Sequence, residues 1–171
     1  GVWLRGDILG LLCARELSIE ALAIPVSCNT SVELSGAFKH VERTKIGSPY
    51  VIAEFASLAG RFSSVAGFEA NGGFLLGFEA DAPAGKLAPL MTRDCLLPIV
   101  APLAMARAKG LSLAELVSDL PSRFTAADRI AGIPTEASKG FIAELTEDAA
   151  ARSAFFADRG AESGLDLTDG L

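Results

Sequence analysis

The sequence predicts an α/β fold: a mixed, mostly parallel sheet sandwiched between helices. Short apolar runs alternate with stretches of helical period along the chain, the order expected of strand–helix–strand units. Half of the 171 residues are hydrophobic and the mean hydropathy is +0.39, which suits strands covered on both faces. Asn71-Gly72 stands between two apolar runs, a strong short-range hairpin signal that adds an antiparallel neighbour to the parallel strands.

In chain order, Val2 to Leu4 reads as a strand remnant. Asp7 reads as the N-cap of a helix near 8–17 that places Leu9, Leu12 and Leu17 on a shared side. Ala21 to Val26 is a candidate buried strand. A short helix at about 30–37, capped by Asn29 or Thr30, leads to a partly exposed strand from Lys39 to Thr44. Pro49 suits the first turn of a helix over 49–59 with Ser48 as its cap. Ser63–Glu69 and Gly73–Phe78 form the hairpin, with Asn71-Gly72 as a type I′ turn. After a loop containing Pro83 and Pro89, Arg93 to Lys109 reads as a long helix introduced by Thr92 or Asp94 and ended by Gly110. Ser112-Leu113-Ala114-Glu115 is a capping box for a helix to about Leu120, which Pro121 stops. Phe124 to Ile130 reads as a strand, Thr135 to about Phe156 as one or two amphipathic helices, and Asp158 to Asp169 as an acidic linker.

A net charge of −6 and a pI near 4.8, with scattered Lys and Arg, argue against nucleic acid as a partner. The longest uncharged apolar run, Cys95 to Ala106, is interrupted by Pro98 and Pro102. It falls short of the roughly 20 residues a membrane helix needs. Cys13, Cys28 and Cys95 form no CxxC pair and lie in apolar contexts, so free buried thiols in a cytoplasmic setting are expected. The single histidine, His40, excludes a multi-histidine metal site and reads as a surface bystander. No nucleophile elbow, P-loop or dinucleotide fingerprint occurs. Arg5-Gly6-Asp7 spells an adhesion tripeptide, but a capping role explains Asp7 better. Both ends look cut, so a fragment is expected.

Two stretches carry chemistry. Glu69 is a carboxylate inside an apolar run, costly there unless paired or hydrogen-bonded. Its oxygens only accept, which suits the vicinal hydroxyls of a sugar, and Asn71 adds both a donor and an acceptor. Asn71-Gly72 could equally exist only to make the turn. Thr44-Lys45-Ile46-Gly47-Ser48 places an ammonium beside a helix N-terminus, a cradle for phosphate or sugar oxygens. There the plainer reading is a cap and a solvated lysine. The residues alone reach a sugar- or anion-binding α/β domain.

In order and spacing, these two stretches resemble the third domain of the α-D-phosphohexomutases, the phosphomannomutase/phosphoglucomutase family. That family's sugar loop has the form Gly-Glu-x-Ser-Gly-His. Here Phe68-Glu69-Ala70-Asn71-Gly72-Gly73 keeps the glutamate and one glycine, while Asn71 replaces the serine and Gly73 the histidine. The resemblance implies that Glu69 and Asn71, with Lys45 and Ser48, bind substrate in an enzyme interconverting hexose 1- and 6-phosphates through a phosphoserine and a bisphosphorylated sugar. It further implies that residues 1–132 form the sugar-recognition domain and 133–171 a helical and linking segment. The phosphoserine loop and the Mg2+ loop would belong to other domains of the parent chain, so the fragment alone would carry no catalytic residue. Hexose phosphate and those domains are the implied partners, with no nucleic acid and no membrane. A non-catalytic α/β sugar- or anion-binding module is the alternative.

Overall fold

Strict alternation along three short strands explains the layering. On β1 (Ala21–Pro25), Leu22 and Ile24 enter one apolar core while Ala21 and Ala23 enter another. β3 (Val65–Phe68) and β4 (Phe74–Leu76) repeat the pattern, with Ala66, Phe68, Phe74 and Leu76 on the first face and Val65 and Leu75 on the second. Because side chains alternate across a strand, a sheet apolar on both faces must be covered twice. The computed structural model describes residues 3–83, 85–126, 128 and 130–157. In it, α1 (Gly6–Glu16) and α4 (Leu97–Lys109) contribute to the first face, and α3 (Ser48–Ala59) covers the second through Val51, Phe55 and Leu58.

The sheet order is β2-β1-β3-β4-β7, with β2 at His40–Thr44 and β7 at Leu90–Asp94. β2 and β3 run parallel to β1, whereas β3–β4 and β4–β7 pair antiparallel. The expected mixed, mostly parallel α/β sheet between helices is therefore present. A separate two-stranded ribbon, β5 (Ala80–Ala82) with β6 (Gly85–Leu87), stands beyond β4. α5 (Leu113–Ser118) opens on the capping box predicted for Ser112 and Glu115, and its Leu116 joins Leu12, Met105 and Ala106 in a satellite core.

Several local expectations are corrected. Trp3 and Leu4 are not in a strand, and Trp3 is largely in solvent; Val2 lies outside the described residues. The N-cap of α1 is Arg5, and Asp7 sits inside the first turn, where its Oδ1 accepts from the Ile8 N–H at 3.0 Å. Ser48 is the first residue of α3 and makes no capping bond, because Gly47 (φ 129°) holds the cap position. The loop around Pro83 and Pro89 contains β5, β6 and the start of β7. The long helix begins only at Leu97, although Asp94 still serves it by accepting from the N–H groups of Leu96 (2.8 Å) and Leu97 (3.2 Å). The described residues between Phe124 and Ile130 form no strand, with Phe124 and Ile130 exposed. Cys95 is exposed, while Cys13 and Cys28 are buried and burial pushes both thiols up to about 12.

At the opposite end of the sheet, Lys39 and the Ser63 N–H and hydroxyl converge on Glu20. They hold its carboxyl down at about 2. His40 stacks on Phe62 with centroids 5.7 Å apart, and its Nε2 lies 3.0 Å from a Glu42 carboxylate oxygen.

Contacts divide the chain into two units, Gly1–Thr125 and Ala126–Leu171. In the second, α6 (Thr135–Glu147) and α7 (Ala149–Ala157) form a helical pair. Asp148 between them accepts from the N–H groups of Ala150 and Ala151, and Phe141 meets Phe155 edge-on at 5.3 Å. The expected linker over Asp158–Asp169 lies outside the described residues.

Candidate functional site

Parallel pairing brings the carboxyl ends of β2, β1 and β3 to one edge. Thr44 pairs with Pro25, and Ala23 pairs with Gly67 on the other side. Carried two residues further, that register sets Glu69 level with Pro25. Lys45 and Glu69 thus leave the sheet at the same edge from strands two apart, about 10 Å at the usual strand spacing. In open α/β sheets, ligands bind at this carboxyl edge.

The hairpin tip is held by its own backbone. The Glu69 N–H donates to the Gly73 carbonyl (2.9 Å), and the Gly72 N–H donates to the Glu69 carbonyl (3.0 Å). Gly72 takes the left-handed region at φ 97°, whereas Asn71 does not. This is a turn ending in a glycine bulge, not the type I′ turn expected, because only one residue supplies positive φ. The Asn71 Oδ1 accepts from the Gly73 N–H at 3.0 Å. Its amide oxygen therefore locks the turn, and its amide nitrogen is left as the group available to a ligand. Gly6 opens α1 directly beneath the tip: a Cβ there would lie 2.1 Å from the Gly72 nitrogen.

Glu69 is 6% exposed, and its Oε2 has no hydrogen-bond partner. Arg93 on β7 brings its Nε to 4.0 Å from that oxygen, beyond hydrogen-bond range. An ionised group with an unfilled acceptor in a buried position opposes folding. The fold nonetheless places it at the carboxyl edge of the sheet.

Beneath the edge, the β1–α2 loop ties the two stretches together (α2 is Ser31–Leu34). The fully buried Asp7 accepts from the Asn29 N–H at 2.8 Å and from Arg5 at 3.1 and 3.2 Å. Arg43, the residue before Thr44, donates to the carbonyls of Pro25 (3.0 Å) and Cys28 (2.8 Å) and forks onto Glu33. The Cys28 thiol reaches the carbonyl of Phe68 at 3.6 Å, immediately before Glu69. Its raised pKa keeps it a donor rather than a nucleophile.

The four predicted residues fall in two groups. Glu69 and Asn71 share the tip, while the exposed Lys45 and half-buried Ser48 share the β2–α3 turn at the same edge. Sequence reasoning missed Arg93, which reads locally as part of a helix opening and comes to Glu69 only through the β4–β7 pairing. Among the described residues, no three His, Cys, Asp or Glu side chains come together to hold a metal ion. None of their helices is long and apolar enough to cross a membrane.

Residues 5–124 match the profile described as phosphoglucomutase/phosphomannomutase, alpha/beta/alpha domain III. A phosphomannomutase of Salmonella muenchen is 52% identical over 142 residues, covering 83% of this chain and 29% of the relative. A phosphomannomutase of Sinorhizobium fredii (strain NBRC 101917 / NGR234) is 39% identical over 172 aligned positions, covering all of this chain and 36% of the relative. The chain thus spans about a third of the length of these relatives. The crystal structure of a candidate phosphomannomutase from Thermus thermophilus superposes with a TM-score of 0.50 at 21% identity. That match covers 67% of this chain and 24% of the other, and it supports the fold.

Proposed function

The chain belongs to the phosphoglucomutase/phosphomannomutase family through its domain III, and on that premise we propose that it is the sugar-recognition portion of an enzyme interconverting hexose 1- and 6-phosphates. The observation that carries the reading is the buried, incompletely satisfied carboxylate of Glu69 at the carboxyl edge of the sheet.

Glu69 accepts hydrogen bonds from adjacent sugar hydroxyls, and the Asn71 amide nitrogen donates to a third oxygen. Lys45 and the start of α3, with Ser48, hold the phosphate or a ring substituent, since an ammonium and the positive end of a helix dipole both favour negative charge. An enzyme that passes a phosphoryl group from a phosphoserine to either end of the sugar must bind two orientations of one molecule. Hydroxyl acceptors on a fixed tip serve both, because vicinal hydroxyls recur when the sugar is turned. The tip is fixed from below by Gly6 and from the side by the Cys28–Phe68 contact.

The magnesium implied by the family would neutralise phosphate charge. On the family reading we assign its site, along with the phosphoserine, to other domains of the parent chain. We assign residues 1–132 to the sugar-recognition domain and 133–171 to a segment outside it, and place the enzyme in the cytoplasm, where the free thiols of Cys13 and Cys28 stay reduced.

The test is turnover by the full-length parent. Mannose 1-phosphate or glucose 1-phosphate should be converted to the 6-phosphate. Binding of these compounds without conversion would leave the non-catalytic module as the reading.

A further inference from the structure

We infer that Arg93 is a substrate-contacting residue that shares one sugar hydroxyl with Glu69, an inference that rests on the proposed reading of the hairpin tip as a sugar site. The Arg93 Nε and the Glu69 Oε2 are 4.0 Å apart, and that oxygen has no hydrogen-bond partner. A donor and an acceptor at this separation are too far apart to bond each other and well spaced for one atom between them. A hydroxyl oxygen about 2.8 Å from each would subtend an angle of about 90°, within the range at which such an oxygen both donates and accepts. The hydroxyl would donate to Oε2 and accept from the Nε–H. A carboxylate alone cannot supply that second bond, and a bridging hydroxyl meets the acceptor need of a buried charge.

The arrangement is built rather than incidental. A Cβ at Gly73 would lie 2.9–3.1 Å from the Cγ, Cδ and Cβ of Arg93. The bare glycine backbone is thus what lets the arginine stem lie across the tip. With Phe74 paired to Asp94 in an antiparallel register, Arg93 lies diagonally across from Gly73, and its stem reaches back over that glycine. Asp94 turns its carboxylate onto the Leu96 and Leu97 N–H groups, which leaves Glu69 as the ionic partner of Arg93 among the described residues. The Arg93 side chain is 60% exposed, so a ligand can reach it from solvent.

The experiment is a double-mutant cycle in the full-length enzyme, using Arg93→Ala, Glu69→Gln and the pair, with kcat/KM on the hexose 1-phosphate and melting temperature read for each. Arg93→Ala should lower kcat/KM roughly tenfold without moving the melting temperature. In the Glu69→Gln background it should cost much less, because both groups hold the same hydroxyl. Arg93→Lys should recover only part of the loss, since an ammonium at the end of a longer stem cannot place a donor where Nε stands. Wild-type kinetics for Arg93→Ala beside an impaired Glu69→Gln would overturn the inference and leave the sugar site standing. Fully additive losses would also overturn it, by showing that the two side chains act on different parts of the substrate. If neither variant loses activity, the reading of the tip fails, and the inference with it.

Discussion

Gly6→Ala is expected to destabilise the domain by about 2–3 kcal/mol, lowering its melting temperature on the order of 10 °C. Helix propensity alone predicts the opposite sign, since replacing a helical glycine with alanine ordinarily stabilises by roughly 1 kcal/mol. Packing decides here. The added carbon would stand 2.1 Å from the Gly72 nitrogen and 2.4 Å from its Cα, and both are backbone atoms that no side-chain rotation can move. Either α1 lifts from the sheet or the tip bends away, and both disturb the core that Leu11, Ala14 and Phe68 share. Gly140→Ala in α6, where an added Cβ meets nothing within 4 Å, should be stabilising and serves as the control. Thermal denaturation of the two variants checks the pair, and an unchanged or raised melting temperature for Gly6→Ala would disprove the close approach.

Glu69→Gln should separate activity from stability. The substitution keeps shape and removes charge, so the charge-assisted bond proposed between Glu69 and a sugar hydroxyl would be lost, about 1.5–3 kcal/mol. Turnover in the full-length enzyme should fall roughly tenfold to a hundredfold. Stability should hold or rise, because a buried oxygen without a hydrogen-bond partner no longer carries charge. Opposite signs on the two measurements mark a residue kept for binding rather than for folding. A fall in melting temperature with normal kinetics would mean that Glu69 is a structural carboxylate.

Much of the architecture was legible because burial and local chemistry agree. Ala21–Pro25 and Val65–Phe68 are buried at every position, so their apolar runs announce strands. The Ser112/Glu115 box and the left-handed Gly110 mark helix ends by their own hydrogen bonding. β7 escaped notice because it lies at the sheet edge with Leu90–Arg93 exposed, and no buried face imposes alternation on it. The β5–β6 ribbon pairs Asp81 with Lys86, a polar match that looks like loop composition. Phe124 to Ile130 misled in the other direction: β-branched and aromatic residues favour strands only where a neighbouring strand accepts them, and Phe124 stands 95% exposed. At the candidate site, Glu69 was visible as a charge inside an apolar run. Its neighbour Arg93 was not, since twenty-odd residues and an antiparallel register separate them. The burial of Asp7 was equally hidden, because its partner Asn29 belongs to a different loop.

The most direct measurement is a crystal structure of the full-length enzyme with a hexose phosphate bound. The account predicts a sugar hydroxyl within hydrogen-bond distance of the Glu69 carboxylate at the carboxyl edge of β1, β2 and β3, with the Asn71 amide nitrogen and the Lys45 ammonium turned toward the same molecule. A sugar phosphate bound with no contact to the Glu69–Gly73 tip would contradict it.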